Sequence, residues 1–518
     1  MIEEKVNLRP PVEKGQVLEV SIVDVTEDGD GIGKVGGFPL FIKEGIYGEV
    51  AKVKIGKVKK NYGFATKVDT VKDSPYLNDN PCPYLSLCGG CPLGVLNEEG
   101  RVMLKETQLK NKLTRLGGIS SEKIIGFEPS PISYRYRNKA VFTVSTGGIT
   151  TKKGGIIVAN EKPKVGFLKK KSHEVFDCYD CALQSEAAMA AAEALRRYME
   201  EDNLTGFDYY WKKGLIRHMM VRTCEGTGQV MVVVSIHGRG LPNGAKLVKY
   251  LDEYIGSTVR TIPDEVRKEM GLKPNDDDDA ENSNFFYDLR SVYVTSHKDD
   301  SPINQLFGYK TEVIAGKATI LDITRRNVKM EISPQSFYQV NYWQTENLYS
   351  HAMELAQVSD KKIVDLYGGI GSIGLDAMVH GGESLIGVET VKEATLNANR
   401  NAVINGVVNA RFITGKAEEV FLDMKKPKEG EEWKNAADCD VIFLDPPRSG
   451  CDEGLLYSIA ELNINKIVYI SCNPSTMARD IKVLETAGYG LKCCKGFDMF
   501  PGGSSHVEAV ALLELTTI

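Results

Sequence analysis

Short apolar strands that alternate with helix-length segments restrict the fold of this chain more than any other feature. From residue 361 onward the sequence contains the strands K-I-V-D-L, L-I-G-V-E, V-I-F-L-D and K-I-V-Y-I-S, with helix-length segments between them. Parallel strands need crossover connections of this kind, so the pattern predicts a doubly wound parallel α/β sheet, a Rossmann-like fold. Ligands of such sheets bind at the carboxyl ends of the strands.

The first of these strands runs directly into a glycine-rich turn. Gly369, Gly371 and Gly374 fit the spacing G-x-G-x-x-G, in which missing side chains let the backbone approach a ligand at a helix N-terminus. Glu389 ends the next strand, 24 residues after Asp365, where a carboxylate can bind both hydroxyls of a ribose. This pattern alone suits NAD as well as S-adenosylmethionine.

Three short motifs follow: D-P-P-R at residues 445–448, S-C-N-P at 471–474 and H-V-E at 506–508. Proline fixes φ and removes a backbone donor, so the Asp-Pro-Pro turn is stiff and presents a rigid polar edge to a planar base. Base methyltransferases need such an edge and dehydrogenases do not. The turn therefore favours S-adenosylmethionine, the alternative being a proline turn that simply ends a strand.

Cys472 and Glu508 carry the chemistry that these motifs predict. A thiolate that adds to C6 of uracil makes C5 nucleophilic, and a base must later remove the C5 proton so that the thiol can leave. Cys472 follows a strand, and Asn473-Pro474 favours an exposed loop over the commoner buried structural cysteine. Glu508 opens an apolar strand, where burial raises a carboxyl pKa and suits a general base, although most glutamates at strand entrances are merely solvated.

The N-terminal region predicts a small β-barrel that binds RNA. Short strands separated by glycine turns run from about residue 13 to 71. Residues 43–72 contain eight lysines and three acidic residues, although the whole chain has a formal charge of −6. A basic barrel of this size favours an oligonucleotide partner, the alternative being lysines that block an exposed edge strand. The acidic residues concentrate elsewhere, as in a predicted surface loop at about 273–284.

Cysteine spacing predicts a metal site in the middle of the chain. Cys82, Cys88 and Cys91 are regularly placed, and either Cys178 or Cys181 can supply a fourth thiolate. Thiolates suit zinc as well as an iron–sulfur cluster. We find no apolar run of membrane length and no signal peptide, and therefore expect a cytoplasmic protein. Eleven cysteines in that reducing compartment indicate metal binding or catalysis rather than disulfides.

These motifs together resemble the RNA uracil-5-methyltransferase family, in particular the branch with an N-terminal TRAM barrel and an iron–sulfur cluster that modifies 23S ribosomal RNA. The likeness covers nearly the whole chain and includes I-S-P-Q-S-F-Y-Q-V-N at residues 332–341. The family commonly has other residues at Gly368 and Ser372, where contacts are made mostly by backbone. The resemblance implies the following roles: Cys472 as nucleophile and Glu508 as proton acceptor; Gln339, Tyr367, Gly369, Gly371, Glu389 and Asp445 as contacts of S-adenosylmethionine; and Gln339, Phe337 and Asp445 as contacts of the uracil.

The resemblance also implies a 4Fe–4S cluster held by Cys82, Cys88, Cys91 and Cys181. Spacing alone does not exclude a zinc site with four thiolates. Aromatic and basic residues mixed at 133–139, and the lysine run at 169–171, are further candidate RNA contacts. A target base must leave its stack before a thiol can reach C6.

We therefore expect three parts: a barrel at residues 8–72, a mixed α+β domain with the cluster at 73–330, and the methyltransferase domain at 331–518. The predicted reaction is conversion of uridine to 5-methyluridine in structured RNA by a monomer. 23S ribosomal RNA is the implied target and transfer RNA the alternative. Two other hypotheses are methylation of an adenine amine, which needs no thiol, and an RNA-binding or redox-responsive protein without turnover.

Overall fold

The computed structural model describes residues 10–147, 149–152, 156–159, 161–262, 286–298, 301–302 and 304–516. The acidic loop predicted at about 273–284 lies outside them. The helices are α1 Glu98–Gly117, α2 Glu186–Glu201, α3 Gly244–Gly256, α4 Tyr342–Ala356, α5 Ser372–Val379, α6 Lys392–Ile404, α7 Ala417–Lys425, α8 Glu453–Ala460 and α9 Pro474–Thr486. Of the helices in these ranges, none has the length and apolar character that a bilayer crossing requires.

The first five strands close into a barrel in the order β1-β2-β3-β5-β4. They are β1 Val17–Val25, β2 Gly31–Val35, β3 Phe38–Lys43, β4 Val50–Val58 and β5 Gly63–Lys72. Alternate apolar side chains, among them Leu40, Ile42 and Val53, fill the interior. Gly33 lets two strands approach, because a Cβ there would lie 2.2 Å from Val20 Cγ1. The predicted barrel is confirmed.

The middle part of the chain forms a mixed seven-stranded sheet, called the central sheet, in the order β11-β10-β7-β12-β13-β14-β15. Helices α2 and α3 pack together beside it. Strands β12 and β13 are buried along most of their length, which explains the nearly continuous apolar sequence of β13, whereas β12 also buries Arg217, His218 and Arg222. The strands from this part of the chain are β6 Ile124–Glu128, β7 Lys139–Ser145, β8 Ile149–Lys152, β9 Ile156–Ala159, β10 Lys164–Leu168, β11 Val175–Asp177, β12 Ile216–Thr223, β13 Gln229–His237, β14 Asp288–His297, β15 Lys310–Gly316, β16 Ile320–Ile323 and β17 Lys329–Ile332.

The C-terminal sheet has eight strands in the order β20-β19-β18-β21-β22-β24-β23-β6. Its members beyond β6 are β18 Lys362–Leu366, β19 Ser384–Glu389, β20 Ala410–Thr414, β21 Val441–Leu444, β22 Lys466–Ser471, β23 Tyr489–Phe497 and β24 Glu508–Leu515. Strands β18 to β22 are parallel, which confirms the doubly wound methyltransferase sheet, and β24 runs antiparallel between β22 and β23. The predicted domain boundary at residue 331 stays a prediction. One strand of the sheet, β6, comes from the part of the chain before that boundary.

A buried ion pair ties α1 to the loop between β23 and β24. Lys105 Nζ lies 2.7 Å from Asp498 Oδ1 and donates to the Phe500 carbonyl at 2.9 Å. Neither charged side chain is more than 3% exposed. Burial lowers the pKa of Lys105, and Asp498 opposes that shift. The pair therefore fixes the loop that leads to His506 and Glu508.

We expect Lys105→Met to destabilise the protein by about 3–5 kcal/mol, because it leaves the Asp498 carboxylate buried without its counter-charge. Lys110→Met is the matched control on the same helix: its ion pair with Glu106 is exposed and contributes about 0.5 kcal/mol or less. Urea unfolding of the three proteins measures the difference. Equal midpoints for the two variants would contradict this role of the pair.

Candidate active site

Four carboxylates gather at the carboxyl ends of the parallel strands. Asp365 lies in β18, Glu389 ends β19, Asp445 follows β21, and Glu508 begins the neighbouring antiparallel strand. Burial raises the pKa of Asp445 to about 7. Burial, and then the charge of Asp445, raises the pKa of Glu508 to about 8, while Arg448 opposes the shift. This edge of the sheet therefore gathers acidic groups with raised pKa values, whose ionised forms a cationic ligand would stabilise.

The glycine-rich turn after β18 is built for close approach of a ligand to backbone. Tyr367, Gly369 and Gly371 all have positive φ, of 69°, 57° and 84°. The N–H of Gly369 donates to Glu389 Oε2 at 3.0 Å, which fixes that carboxylate over the turn. Gly371 then caps α5, so the N-terminus of that helix lies at the same turn, a position that favours anionic or polar ligand groups.

Asp365 is a site residue that sequence reasoning used only as a spacing marker. Its Oδ2 accepts the N–H of Gly374 at 3.0 Å, while its Oδ1 is buried without a hydrogen-bond partner. Burial raises its pKa to about 8, against the Gly374 hydrogen bond, and Asp445 and Glu389 raise it further. An unpartnered buried oxygen beside a glycine turn indicates a missing ligand. Its position inside the motif-bearing strand was the available signal.

Cys472 lies at the junction of β22 and α9, half-buried. Burial raises the pKa of its thiol to about 11, with further increases from Glu508 and Asp445 and an opposing effect of Arg448. Asn473 caps α9 by accepting the N–H of Ser475, and its side chain donates to the Arg448 carbonyl at 3.0 Å. A hydrogen bond thus joins the S-C-N-P and D-P-P-R motifs. The carboxyl groups of Asp445 and Glu508 both lie close enough to affect the thiol.

Arg448 is the second residue that sequence reasoning quoted without assigning a role. Its Nη2 donates to His506 Nε2 at 2.6 Å. Burial and the Arg448 charge both lower the pKa of His506, which keeps the ring neutral and able to accept that bond. Arg448 also lowers the pKa values of Cys472 and Glu508. Arg448 is therefore a cation that acts on both the thiol and Glu508, and its hydrogen bond to His506 holds it there.

Residues of the 332–341 segment take different positions. Gln339 is buried and lines a narrow cavity of about 20 Å³ with Tyr349 and Ser372, and its carbonyl accepts from Asn138 Nδ2 at 2.8 Å. Phe337 is 65% exposed, so its ring is available to a base. Asn341 is fully buried and caps α4, which gives it a structural role.

The Tyr367 hydroxyl lies beside the Cys451 thiol. Burial raises the pKa of Tyr367, and so does its hydrogen bond with the Cys451 thiol. Its backbone belongs to the glycine-rich turn, so a cofactor contact through the main chain or the ring stays a prediction. The turn, Glu389, Asp445, Cys472 and Glu508 are the predicted residues that the structure brings to one edge.

The cysteines of the middle region also converge, although Cys181 follows Cys91 by 90 residues in the sequence. Cys82, Cys88, Cys91 and Cys181 each lie close enough to the other three for mutual electrostatic repulsion, which adds to burial in raising the pKa of the Cys91 thiol to about 12. Cys181 is the thiol with the strongest charge effect on both Cys88 and Cys91. Cys178 lies beside this group and is 2% exposed.

Known proteins match this chain along its whole length. It is 35% identical to an RNA methyltransferase of Bacillus cereus over 509 residues, 98% of this chain and 99% of that one. An RNA methyltransferase of Halalkalibacterium halodurans is 35% identical over 512 residues, 98% of each chain. Residues 309–516 match the tRNA (uracil-5-)-methyltransferase model and residues 11–68 the TRAM domain. The chain belongs to the RNA (uracil-5-)-methyltransferase family. This S-adenosylmethionine-dependent enzyme therefore modifies RNA, as predicted.

A solved structure shares the fold of this methyltransferase. The Pyrococcus abyssi tRNA (uracil-54, C5)-methyltransferase in complex with S-adenosyl-L-homocysteine has a TM-score of 0.68 and 24% identity, over 96% of this chain and 100% of that one. At that identity the likeness shows a common fold alone. The family assignment argues against the adenine-methylating and the non-enzymatic hypotheses.

Proposed function

We propose that the protein methylates C5 of a uridine in structured RNA through a covalent bond between Cys472 and C6. The observation that carries the proposal is the grouping of one half-buried thiol, Cys472, with a buried carboxyl, Glu508, whose charge acts on it directly. The charge of Asp445 raises the pKa of both Cys472 and Glu508. A nucleophile beside a base with a raised pKa is the arrangement that covalent catalysis in two steps requires.

The steps follow from the atoms present. Cys472 Sγ, as thiolate, forms a bond to C6, and the electrons of the 5,6 double bond move to C5 and the C4 oxygen. C5 then takes the methyl group, whose bond to the sulfonium sulfur breaks. Glu508 accepts the proton from C5, the double bond re-forms, and Sγ leaves C6 with its electron pair. Arg448, the nearby cation, stabilises the thiolate before attack and after release.

The cofactor cleft fits S-adenosylmethionine in its donors and its charge. When bound, S-adenosylmethionine supplies the methyl group. Glu389 and the Gly369–Gly371 turn would hold its ribose and amino-acid part, and the unpartnered oxygen of Asp365 offers a further acceptor. Asp445 and Gln339 would contact both the cofactor and the uracil, with Phe337 against the base. Buried carboxylates favour a cationic sulfonium over its neutral product.

Activity should rise with pH, because both reacting groups must lose a proton. Burial raises the pKa of Glu508 to about 8, so at pH 7 most molecules hold its acid form, which cannot accept the C5 proton. The Cys472 thiol, with a pKa of about 11, is likewise mostly protonated. We expect single-turnover methyl transfer to increase roughly tenfold or more from pH 6.5 to 8.5. A rate that is constant or falls over this range would contradict the roles of both groups.

We propose 23S ribosomal RNA as the target, because the barrel and the cysteine group together resemble the branch that modifies it. Transfer RNA is the second candidate, since the matching family model and the solved structure are both named for transfer RNA. Mapping 5-methyluridine in both RNA classes from a strain without this protein distinguishes the two. Loss from ribosomal RNA alone supports the proposal, and loss from transfer RNA alone overturns it.

We further propose a 4Fe–4S cluster on Cys82, Cys88, Cys91 and Cys181. Four mutually close thiols suit a soft metal centre. Among the residues that the structure describes, no three side chains already have the geometry of ligands to one metal ion. Binding would therefore require the thiols to rotate toward a common centre. The cluster would clip the segment before α1 to the one before α2.

Cysteine replacement tests the ligand set. We expect Cys181→Ala to lose most of the iron and sulfide bound after anaerobic reconstitution, because three thiolates leave one iron without its protein ligand. Cys178→Ala, at the neighbouring buried thiol, should retain them. Metal analysis of the purified protein separates this site from a zinc site. If Cys181→Ala retains iron and Cys178→Ala loses it, the fourth ligand is Cys178 and not Cys181.

A further inference from the structure

An exposed aromatic turn projects from the central sheet, far from the residues of the methyltransferase site. The aromatic turn consists of residues 210–213, Y-W-K-K, between Asp208 and the start of β12. Tyr210 and Trp211 are 84% and 63% exposed, and their rings meet edge to face at 4.9 Å. Asp208 Oδ1 accepts the N–H groups of Tyr210 and Trp211 at 2.9 and 3.0 Å, which fixes the turn. The backbone that presents these two exposed rings is thus held in place.

A cavity of about 240 Å³ opens beside this turn. Its walls include Phe207, Tyr209, Tyr210, His218 and Ser145. The Tyr209 hydroxyl and His218 Nε2 lie 2.8 Å apart, so the wall combines aromatic faces with polar edges. The cavity is smaller than the roughly 300–1,000 Å³ of sites for drug-sized ligands. It suits a single planar ring with polar substituents.

A buried cation lies directly behind the aromatic wall. The Arg217 side chain is fully buried, and its guanidinium stacks over the rings of Phe207 and Tyr209, 5.1 and 5.2 Å from their centroids. Its Nη2 donates to the Pro302 carbonyl at 2.7 Å, while Nε and Nη1 are buried without a hydrogen-bond partner. A desolvated positive charge at this position makes the potential in the cavity positive and favours electron-rich ligands.

Lysines lie next to this cavity in the sequence, although its own lining includes the acidic Asp208. Leu168 and His173 line it, and the lysine run at 169–171 connects them. Lys169 pairs with Glu174, but Lys170 is exposed. Lys212 and Lys213 of the aromatic turn add two further positive charges. Exposed aromatic rings bordered by lysines are the features with which proteins bind single-stranded nucleic acid.

We propose that the aromatic turn and the adjoining cavity form a second RNA site, in which one base stacks on Trp211 and a neighbouring unstacked base enters the cavity. Strand β7 connects this site to the active site: Asn138, just before it, binds the Gln339 carbonyl, and Thr143 and Ser145 at its far end line the cavity. At about 3.3 Å a residue the two sites are roughly 20 Å apart. The second site therefore holds RNA outside the target uridine. The proposal rests on the proposed function only for the identity of that RNA.

Tryptophan fluorescence tests the stacking directly. The chain has three tryptophans, of which Trp343 is 6% and Trp433 is 42% exposed. In the full-length Trp433→Phe protein, Trp211 is the exposed tryptophan and Trp343 is buried. We expect an unlabelled dodecamer of adenylate to quench the emission of Trp211. The double variant Trp211→Phe/Trp433→Phe should show no such quenching. Binding of a fluorescein-labelled dodecamer, measured by anisotropy, without any change in Trp211 emission would overturn the proposal, as would absence of binding.

Substitutions at the surface measure the contribution to affinity. Tyr210→Ala/Trp211→Ala should weaken dodecamer binding about tenfold, the effect typical of losing one stacked base. Lys170→Glu should weaken binding and reduce its salt dependence. Tyr457→Ala removes an aromatic ring that is 44% exposed on α8 and should bind as wild type. Wild-type affinity of the double alanine variant would overturn the proposal.

Covalent trapping separates this inference from the proposed function. If the wild type forms no adduct with 5-fluorouridine RNA but Trp211 is still quenched, the proposed reaction fails and the second site stands as an RNA site. If the adduct forms normally and Trp211 is not quenched, the second site alone fails.

Discussion

Cys472→Ala loses methyl transfer to RNA by a factor on the order of 10⁴ or more, because it removes the thiol that adds to C6 and activates C5. The readout is transfer of a radiolabelled methyl group from S-adenosylmethionine to an RNA that the wild type accepts. The substitution removes a half-buried thiol at a strand–helix junction, so the fold should be retained.

Cys493→Ala is the matched control for that loss. Cys493 is another half-buried thiol, in β23 of the same sheet, and burial raises its pKa as well. It lies outside the group of active-site carboxylates, so we expect wild-type rates from this variant. Equal rates for Cys472→Ala and wild type would exclude the covalent route and return adenine-type direct transfer to consideration.

Glu508→Gln should stop the reaction after the bond to C6 has formed. The amide cannot accept the C5 proton, so turnover falls roughly 10³-fold while the Cys472 adduct accumulates. Loss of the carboxylate also removes a charge that raises the pKa of Cys472, which favours the thiolate and hence adduct formation. Denaturing gels should therefore show a protein–RNA species with ordinary uridine RNA, which the wild type resolves too quickly to accumulate.

Glu514→Gln provides the comparison for the base. Glu514 lies in the same strand, β24, and forms a half-exposed ion pair with Lys492. Its replacement should leave both turnover and the gel pattern unchanged. If Glu508→Gln turns over like Glu514→Gln, another group accepts the C5 proton. If Glu508→Gln forms neither adduct nor product, the Glu508 carboxyl of the wild type is needed before Cys472 attacks C6.

Short sequence motifs predicted which residues gather in the catalytic domain, because each motif fixes the position of its residues relative to the strand that it follows. The positions of Gly369, Glu389 and Cys472 follow from strand periodicity and from the rule that parallel strands end at one edge. Asp445 was predicted at the same edge because it directly follows a strand and opens the proline turn. These residues needed no knowledge of distant contacts.

Residues whose roles depend on distant partners were not predictable in this way. Arg448 became recognisable only when its hydrogen bond to His506, 58 residues away, was seen. Lys105 pairs with Asp498 across 393 residues, and β6 joins a sheet whose other strands begin at residue 362. The aromatic turn at residues 210–213 carries no recognisable motif. Surface shape and buried charge arise from tertiary packing that no local pattern encodes.

The measurement that most directly tests the central claim is mass spectrometry of the protein after incubation with S-adenosylmethionine and RNA containing 5-fluorouridine at the modified position. Fluorine at C5 cannot leave as a cation, so Glu508 has no proton to accept and the adduct persists. The proposed reaction predicts one methylated nucleotide attached to the peptide that contains Cys472, and none in Cys472→Ala. Methyl transfer to the natural RNA by a protein that forms no such adduct with the fluorinated RNA would contradict it.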